Sequence, residues 1–290
     1  MPFLVSAGAG AEHGLRNVGS WLMSFIEIAN PRPHVTLVTL NRPERMNAMA
    51  FDVMIPLRDA LRDISLDNEC RVVVLTGAGH GFCSGADLVG GGMVPNISGL
   101  KRTTIARRAL KVLDDVILAI RDMHQPVIAA VNGAAIGGGF CLAAAADIRI
   151  ASDTAYFRAA GINNGLTSTE LGISYLLPRQ IGFSRAFDIL LTGRDVDADE
   201  AERIGLVSQR VAGDRLLERC YELAEGIIGF SQVGVELTKQ LLWASFDAGS
   251  LHAHMNHEGN AQLYVRMTTG NFDEKISAWK EGRTPVYTDE

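Results

Sequence analysis

Five runs of β-branched and aliphatic residues end at turn residues: HVTLVTL (34–40), RVVVLTG (71–77), PVIAAVNG (126–133), DIRIAS (147–152) and GLVSQRV (205–211). Short runs of this kind read as strands. Between them, apolar positions recur at helical spacing over 52–64, 104–123, 138–145 and 169–182, the last extending to 192. Strands that alternate with helices predict an α/β layered sheet. Pro56 falls inside the first helical pattern; with Asp52 as N-cap it would sit in the first turn, where the missing N–H has no partner to lose. Beyond 211 no strand signal follows. DRLLERCYELAEGIIG, VGVELTKQLLWASF and LHAHMNHEGNAQLYVRMTTGNFDEKISAW all read as helices, which gives a helical region over 212–290 behind a core of 25–211. Residues 1–24 are Gly/Ala-rich and mixed, and read as a loosely held extension. No internal repeat is present.

Composition narrows the class. The 290 residues suit one main domain with an appendage, and 47% hydrophobic with 21% charged residues is ordinary for a globular enzyme. A net charge of −6, with no Lys/Arg run longer than a pair, argues against nucleic acid as a partner. No stretch reaches the ~18 apolar residues of a membrane span, and the N-terminus lacks a secretory pattern. Cys70, Cys83, Cys141 and Cys220 are widely spaced without a CxxC, so neither a zinc site nor a disulfide framework is expected and a reducing cytoplasm fits. His252, His254 and His257 stand at i, i+2 and i+5, which do not share one helix face, so no metal is expected.

The stretch VNGAAIGGGFCLAAAAD (131–147) sets bare backbone before an apolar helix. A helix N-terminus leaves about four N–H groups unpaired and can receive an anion or a developing oxyanion; glycines let a ligand approach. The same glycines would equally serve a tight strand-to-helix turn. The spacing GxxxGGG is not the GxGxxG of a dinucleotide fold. A second glycine-rich turn, LTGAGHGFCSGADL (75–88), also follows a strand, and two such turns can aim two N–H donors at one point.

Taken in order, NRPERMNAM (41–49), VVVLTGAGHGFCSGADL, QPVIAAVNGAAIGGGFCLAAAADIRIAS and LLTGRDVDADEAERIGLV (190–207) resemble the enoyl-CoA hydratase/isomerase (crotonase) family over 26–290, and within it the mycobacterial enoyl-CoA hydratase paralogues. The resemblance implies a ββα spiral core, C-terminal helices that build trimers or dimers of trimers, and an acyl-CoA thioester as substrate, with no cofactor beyond the CoA that the substrate carries. It implies that the backbone N–H groups of Ala86 and Gly138 hold the thioester oxygen as it becomes an enolate, and that Ala48, Ser84, Ala86, Asp87 and Leu88 border the CoA. Fixed backbone donors of this sort contribute ~100–1000-fold in rate. Fatty-acid oxidation is the family's usual setting.

The hydratases of the family use two glutamates, and the matching positions hold Cys141 and Gly161. An ordinary thiol, with a pKa near 8.5, is a poor substitute for a tuned carboxylate and also serves as plain core packing. The nearest acid is Glu170, within one position of a catalytic aspartate in some dienoyl-CoA isomerases of the family. Either it is a first-turn glutamate that suits the helix dipole, or apolar surroundings raise its pKa for proton transfer. One carboxylate suffices to move a proton from Cα to Cγ, which favours double-bond isomerisation or another enolate step over paired hydration. Asp87, at the start of a helix, and Asp147, capping a turn, read as structural, and His80 as a solvated loop residue. Two rival readings stand beside this one: a non-catalytic acyl-CoA-binding paralogue, and serine hydrolysis by Ser84 with His80, although no GxSxG elbow surrounds Ser84.

Overall fold

The computed structural model describes residues 25–290 apart from 91 and 93; the extension expected over 1–24 lies outside them. An antiparallel pair, β1 (Ile26–Arg32) and β2 (Val35–Leu40), opens the fold and is followed by helix α1 (Phe51–Ser65). Then come β3 (Val72–Gly77), β4 (Gly81–Cys83), α2 (Arg102–Asp122), β5 (Val127–Val131), β6 (Ala134–Ile136) and α3 (Gly138–Ala145). The core closes with β7 (Ile148–Ser152), β8 (Tyr156–Arg158), α4 (Ile173–Ile181), α5 (Phe183–Thr192), β9 (Asp195–Asp197), α6 (Ala198–Arg203) and β10 (Gln209–Val211).

Successive strands go to two sheets, a six-stranded one in the order β1-β2-β3-β5-β7-β10 and a four-stranded one in the order β4-β6-β8-β9. Three successive turns, β3-β4-α2, β5-β6-α3 and β7-β8-α4, each add one strand to the large sheet, one to the small sheet, and then a helix. From β2 to β10 the large sheet is parallel. Its central strands β3 and β5 are buried at every position, as covering by helices on both faces demands. Alternation divides their side chains: Val73, Leu75, Val127 and Ala129 join the main core, while Val72, Val74, Ile128 and Ala130 pack against Leu216, Cys220 and Ala224 of α7 (Leu216–Ile228).

Three further helices follow: α8 (Gln232–Ala244), α9 (Leu251–Thr268) and α10 (Asn271–Glu281). Helix α8 is fastened to the core by a buried polar cluster. Lys239 Nζ lies 2.9 Å from Asp147 Oδ2 and donates to the Gln125 carbonyl at 2.8 Å, and Trp243 Nε1 donates to Asp147 Oδ1 at 2.6 Å. Asp147 also accepts the Val127 amide at 2.7 Å, so it joins β5 to α8 rather than capping a turn.

Other expectations need correction. The N-cap of α1 is Ala50, not Asp52, which puts Pro56 in the second turn. No helix begins at Asp87; α2 starts at Arg102. The pattern over 169–192 is two helices, separated at Gly182, and 205–208 precede β10 as turns.

Candidate active site

Strand β6 ends at Ile136, and the chain enters α3 through Gly137, whose φ of 52° and ψ of −119° are open to glycine but costly for a side-chain-bearing residue. Gly138 is the first residue of the helix, so its N–H has no intrahelical acceptor. Opposite lies the turn after β4. There Gly85 (φ 81°) approaches so closely that a Cβ on it would sit 2.6 Å from the Ile136 carbonyl and 3.4 Å from the Gly138 nitrogen.

A parallel bridge sets the orientation of Ala86. Met49 N–H donates to the Gly85 carbonyl at 2.7 Å and Asp87 N–H to the Met49 carbonyl at 3.2 Å. In a parallel bridge the central residue's own N–H points away from the partner strand, so the Ala86 amide faces outward. Among the described residues neither the Ala86 nor the Gly138 amide donates to a protein acceptor. Ala86 is exposed and Gly138 buried.

Glu170 joins them. Its Oε1 lies 3.3 Å from where a Cβ on Gly137, the residue before Gly138, would stand. It does not occupy a helical first turn: Leu171 has φ 47°, Gly172 caps α4, and the Glu170 carbonyl accepts the Ile173 amide at 2.9 Å. The helix-dipole reading therefore loses its basis. Although the residue opens to solvent, partial desolvation of the carboxyl raises its pKa above the ordinary glutamate value.

Neither alternative acid position competes. Cys141 is 1% exposed, and its thiol donates to the Glu170 carbonyl at 3.5 Å. Burial, followed by the Glu170 and Cys83 charges, pushes that thiol well above its usual pKa, so it stays neutral. At Gly161 any side chain would overlap the Thr167 carbonyl, because the loop there is closed on itself.

The residues expected to border CoA gather along the same edge. Ser84 N–H donates to the Met46 carbonyl at 2.9 Å, and the bridge pairs Met49 with Ala86, so 46–49 and 84–87 run side by side. Ala48 is buried, Ser84 partly buried, and Leu88 82% exposed at the rim. Ser84 Oγ donates to the Arg45 carbonyl at 3.2 Å, an arrangement that does not activate a nucleophile. Asp87 accepts the Gly90 and Val89 amides and pairs with Arg42 at 2.8 Å, which lowers its pKa. His80 is exposed.

A cavity of about 770 Å³ lies elsewhere, between α7, α8 and the start of β7. None of the residues gathered above lines it, and its one carboxylate, Asp147, is tied up by Lys239 and Trp243. Among the described residues no group of three or more potential ligands could hold a metal, and no helix is long and apolar enough to cross a membrane.

The enoyl-CoA hydratase/isomerase family model matches residues 32–290. The chain belongs to the enoyl-CoA hydratase/isomerase family. It is 62% identical over 268 residues to the probable enoyl-CoA hydratase EchA12 of Mycobacterium tuberculosis, covering 92% of this chain and 94% of that protein. A crystal structure of a probable enoyl-CoA hydratase/isomerase from Mycobacterium abscessus matches with a TM-score of 0.88 at 62% identity, over 92% of this chain and all of that one. One described as a monofunctional enoyl CoA isomerase from M. smegmatis matches with a TM-score of 0.68 at 59% identity, over 80% of this chain and 98% of that one. The fold is thus the crotonase fold with a helical C-terminal region, and the chain stands among the enoyl-CoA hydratase/isomerase enzymes.

Met49 and Leu171, which pack on Gly138, carried no signal of their own in the sequence. Both are apolar residues in loops, and only their neighbours in the fold give them significance.

Proposed function

We propose that the chain moves the double bond of an enoyl-CoA through a thioester enolate, with one acid acting as the proton carrier. The Ala86 and Gly138 amides would hold the thioester oxygen, and Glu170 would take a proton from one carbon and return it to another along the acyl chain. The carrying observation is the placement of the Glu170 carboxyl against Gly137, one residue before Gly138. Its raised pKa, caused by desolvation, makes the carboxyl a readier proton donor than an ordinary glutamate while leaving it able to accept a proton. The closed loop at Gly161 and the neutral thiol of Cys141 put no second acid at either position where the family's hydratases hold one. The 59% identical relative described as a monofunctional isomerase supports the same choice.

The working assembly is proposed to be a trimer or a dimer of trimers in the cytoplasm, built through α9 and α10. Both helices carry unpartnered apolar side chains, among them Met267 (82% exposed) and Trp279 (74%).

The test is α-proton exchange. Crotonyl-CoA, 3-hexenoyl-CoA and a saturated acyl-CoA are incubated with the protein in D2O and analysed by mass spectrometry. Deuterium uptake and conversion of 3-hexenoyl-CoA, both lost in Glu170→Gln, are expected. Binding without exchange would overturn the reading in favour of a non-catalytic acyl-CoA-binding protein, and a mass gain of one water would restore hydration.

A further inference from the structure

Met49 reaches both amides of the site by different routes. Its backbone brackets Ala86, accepting the Asp87 amide and donating to the Gly85 carbonyl, and so turns the Ala86 N–H outward. Its side chain lies on Gly138: a Cβ there would overlap the Met49 sulfur and come within 3.1 Å of its terminal methyl. The Leu171 side chain approaches the same point to 3.4 Å, one residue beyond Glu170. Met49 itself is 7% exposed and belongs to the main core cluster. One thioether therefore fills the space where the first turn of α3, the Ala86 bridge and the Glu170 turn meet.

We infer that Met49 is a positioning residue that fixes the separation of the two oxyanion donors, the thioether packing Gly138 against the segment whose backbone already holds Ala86. The inference rests on the reading of those amides as donors. A thioether suits the task because it is unbranched and fills an irregular gap without a polar atom that would compete for the amides. Donors contribute to rate through fixed geometry, so slack of a fraction of an ångström weakens both bonds to a developing oxyanion without removing either.

The experiment follows the carbonyl rather than the proton. Crotonyl-CoA labelled with carbon-13 at the thioester carbonyl is bound to wild type, Glu170→Gln, Met49→Ala and Met49→Leu, and its carbonyl stretch is read by difference infrared spectroscopy. Wild type and Glu170→Gln should lower the frequency equally, Met49→Ala should lower it less, and Met49→Leu, which restores the volume, should recover most of the shift. In proton exchange, Met49→Ala should lose about tenfold in kcat with KM unchanged, short of the ~100–1000-fold for deletion of a donor. Met49→Val replaces Met49→Ala if melting curves show that the latter is unfolded. A full shift and full kcat in folded Met49→Ala or Met49→Val would overturn the role of Met49. Absence of any shift in wild type would instead overturn the donor assignment on which it rests.

Discussion

At Glu170, desolvation favours the uncharged acid, which fixes the sign of two pH effects. Proton abstraction needs the carboxylate, so kcat/KM should fall on the acid side at a pH above the ordinary glutamate value, and Glu170→Gln should lose about 100–10,000-fold in exchange rate, the usual weight of a general base. For stability, a folded-state pKa above the unfolded one favours the fold at low pH and loses that contribution as pH rises through the folded value. Glu170→Gln should therefore melt higher than wild type at pH 8, and the two should converge toward pH 4. Thermal melts across pH check this; a wild type that melts higher at pH 8 would contradict it. At Cys141 a different outcome follows from burial. Cys141→Ala should cost about 1 kcal/mol of stability, a modest core deletion, and leave exchange within a few-fold of wild type, because a neutral thiol bonded to a carbonyl takes no part in proton transfer. Gly161→Glu should not create a hydratase but should destabilise the chain, which urea titration measures, since the side chain meets the Thr167 carbonyl.

Among the elements, the anchorage of α8 is open to a direct test. Lys239→Ala leaves Asp147 buried without its cation, a loss of about 3–5 kcal/mol for such pairs, reduced here because Val127 and Trp243 still donate to Asp147. Urea titration should give a value near the lower bound, with α8 amides exchanging faster. The elements also explain what could be read beforehand. The parallel strands β3 and β5 were legible because each buries a nearly unbroken apolar run, β7 because Ile148, Ile150 and Ala151 still read as a short strand around Arg149, and α3 because its glycines precede a stretch of uncharged residues. The strands β4, β6, β8 and β9 were not, because three residues hold too little of a period to register. Strand β1 (IEIANPR) was hidden by its polar residues and proline, as suits an edge. Position 170 was recognisable as a candidate acid only through the family resemblance. Its turn, held by the left-handed Leu171, left no mark in a pattern that runs on at helical spacing.

For the whole molecule, the distribution of apolar surface sets the expectation. Leu251, Met255, Tyr264 and Met267 leave α9 apolar on exposed positions, and only His254 of that helix is buried. Sedimentation should give three or six times the 31.3 kDa chain mass. Met267→Glu with Tyr264→Glu should shift it toward monomer by placing charge in the contact. A single 31.3 kDa species for wild type would remove the assembly from the proposal.

The amides of Ala86 and Gly138 belong to the main chain, and that changes what mutation can do to them. Every sense codon except those for proline specifies an amide hydrogen, so substitution at Ala86 keeps an N–H there, and at Gly138 the disturbance comes from a side chain overlapping the Met49 sulfur, not from loss of the N–H, whereas a single base change can remove the carboxylate at 170. On the proposed reading, a lineage built on this frame could lose or relocate its acid while keeping both amides, and new reactions on the same thioester would then require only the arrival of one side chain.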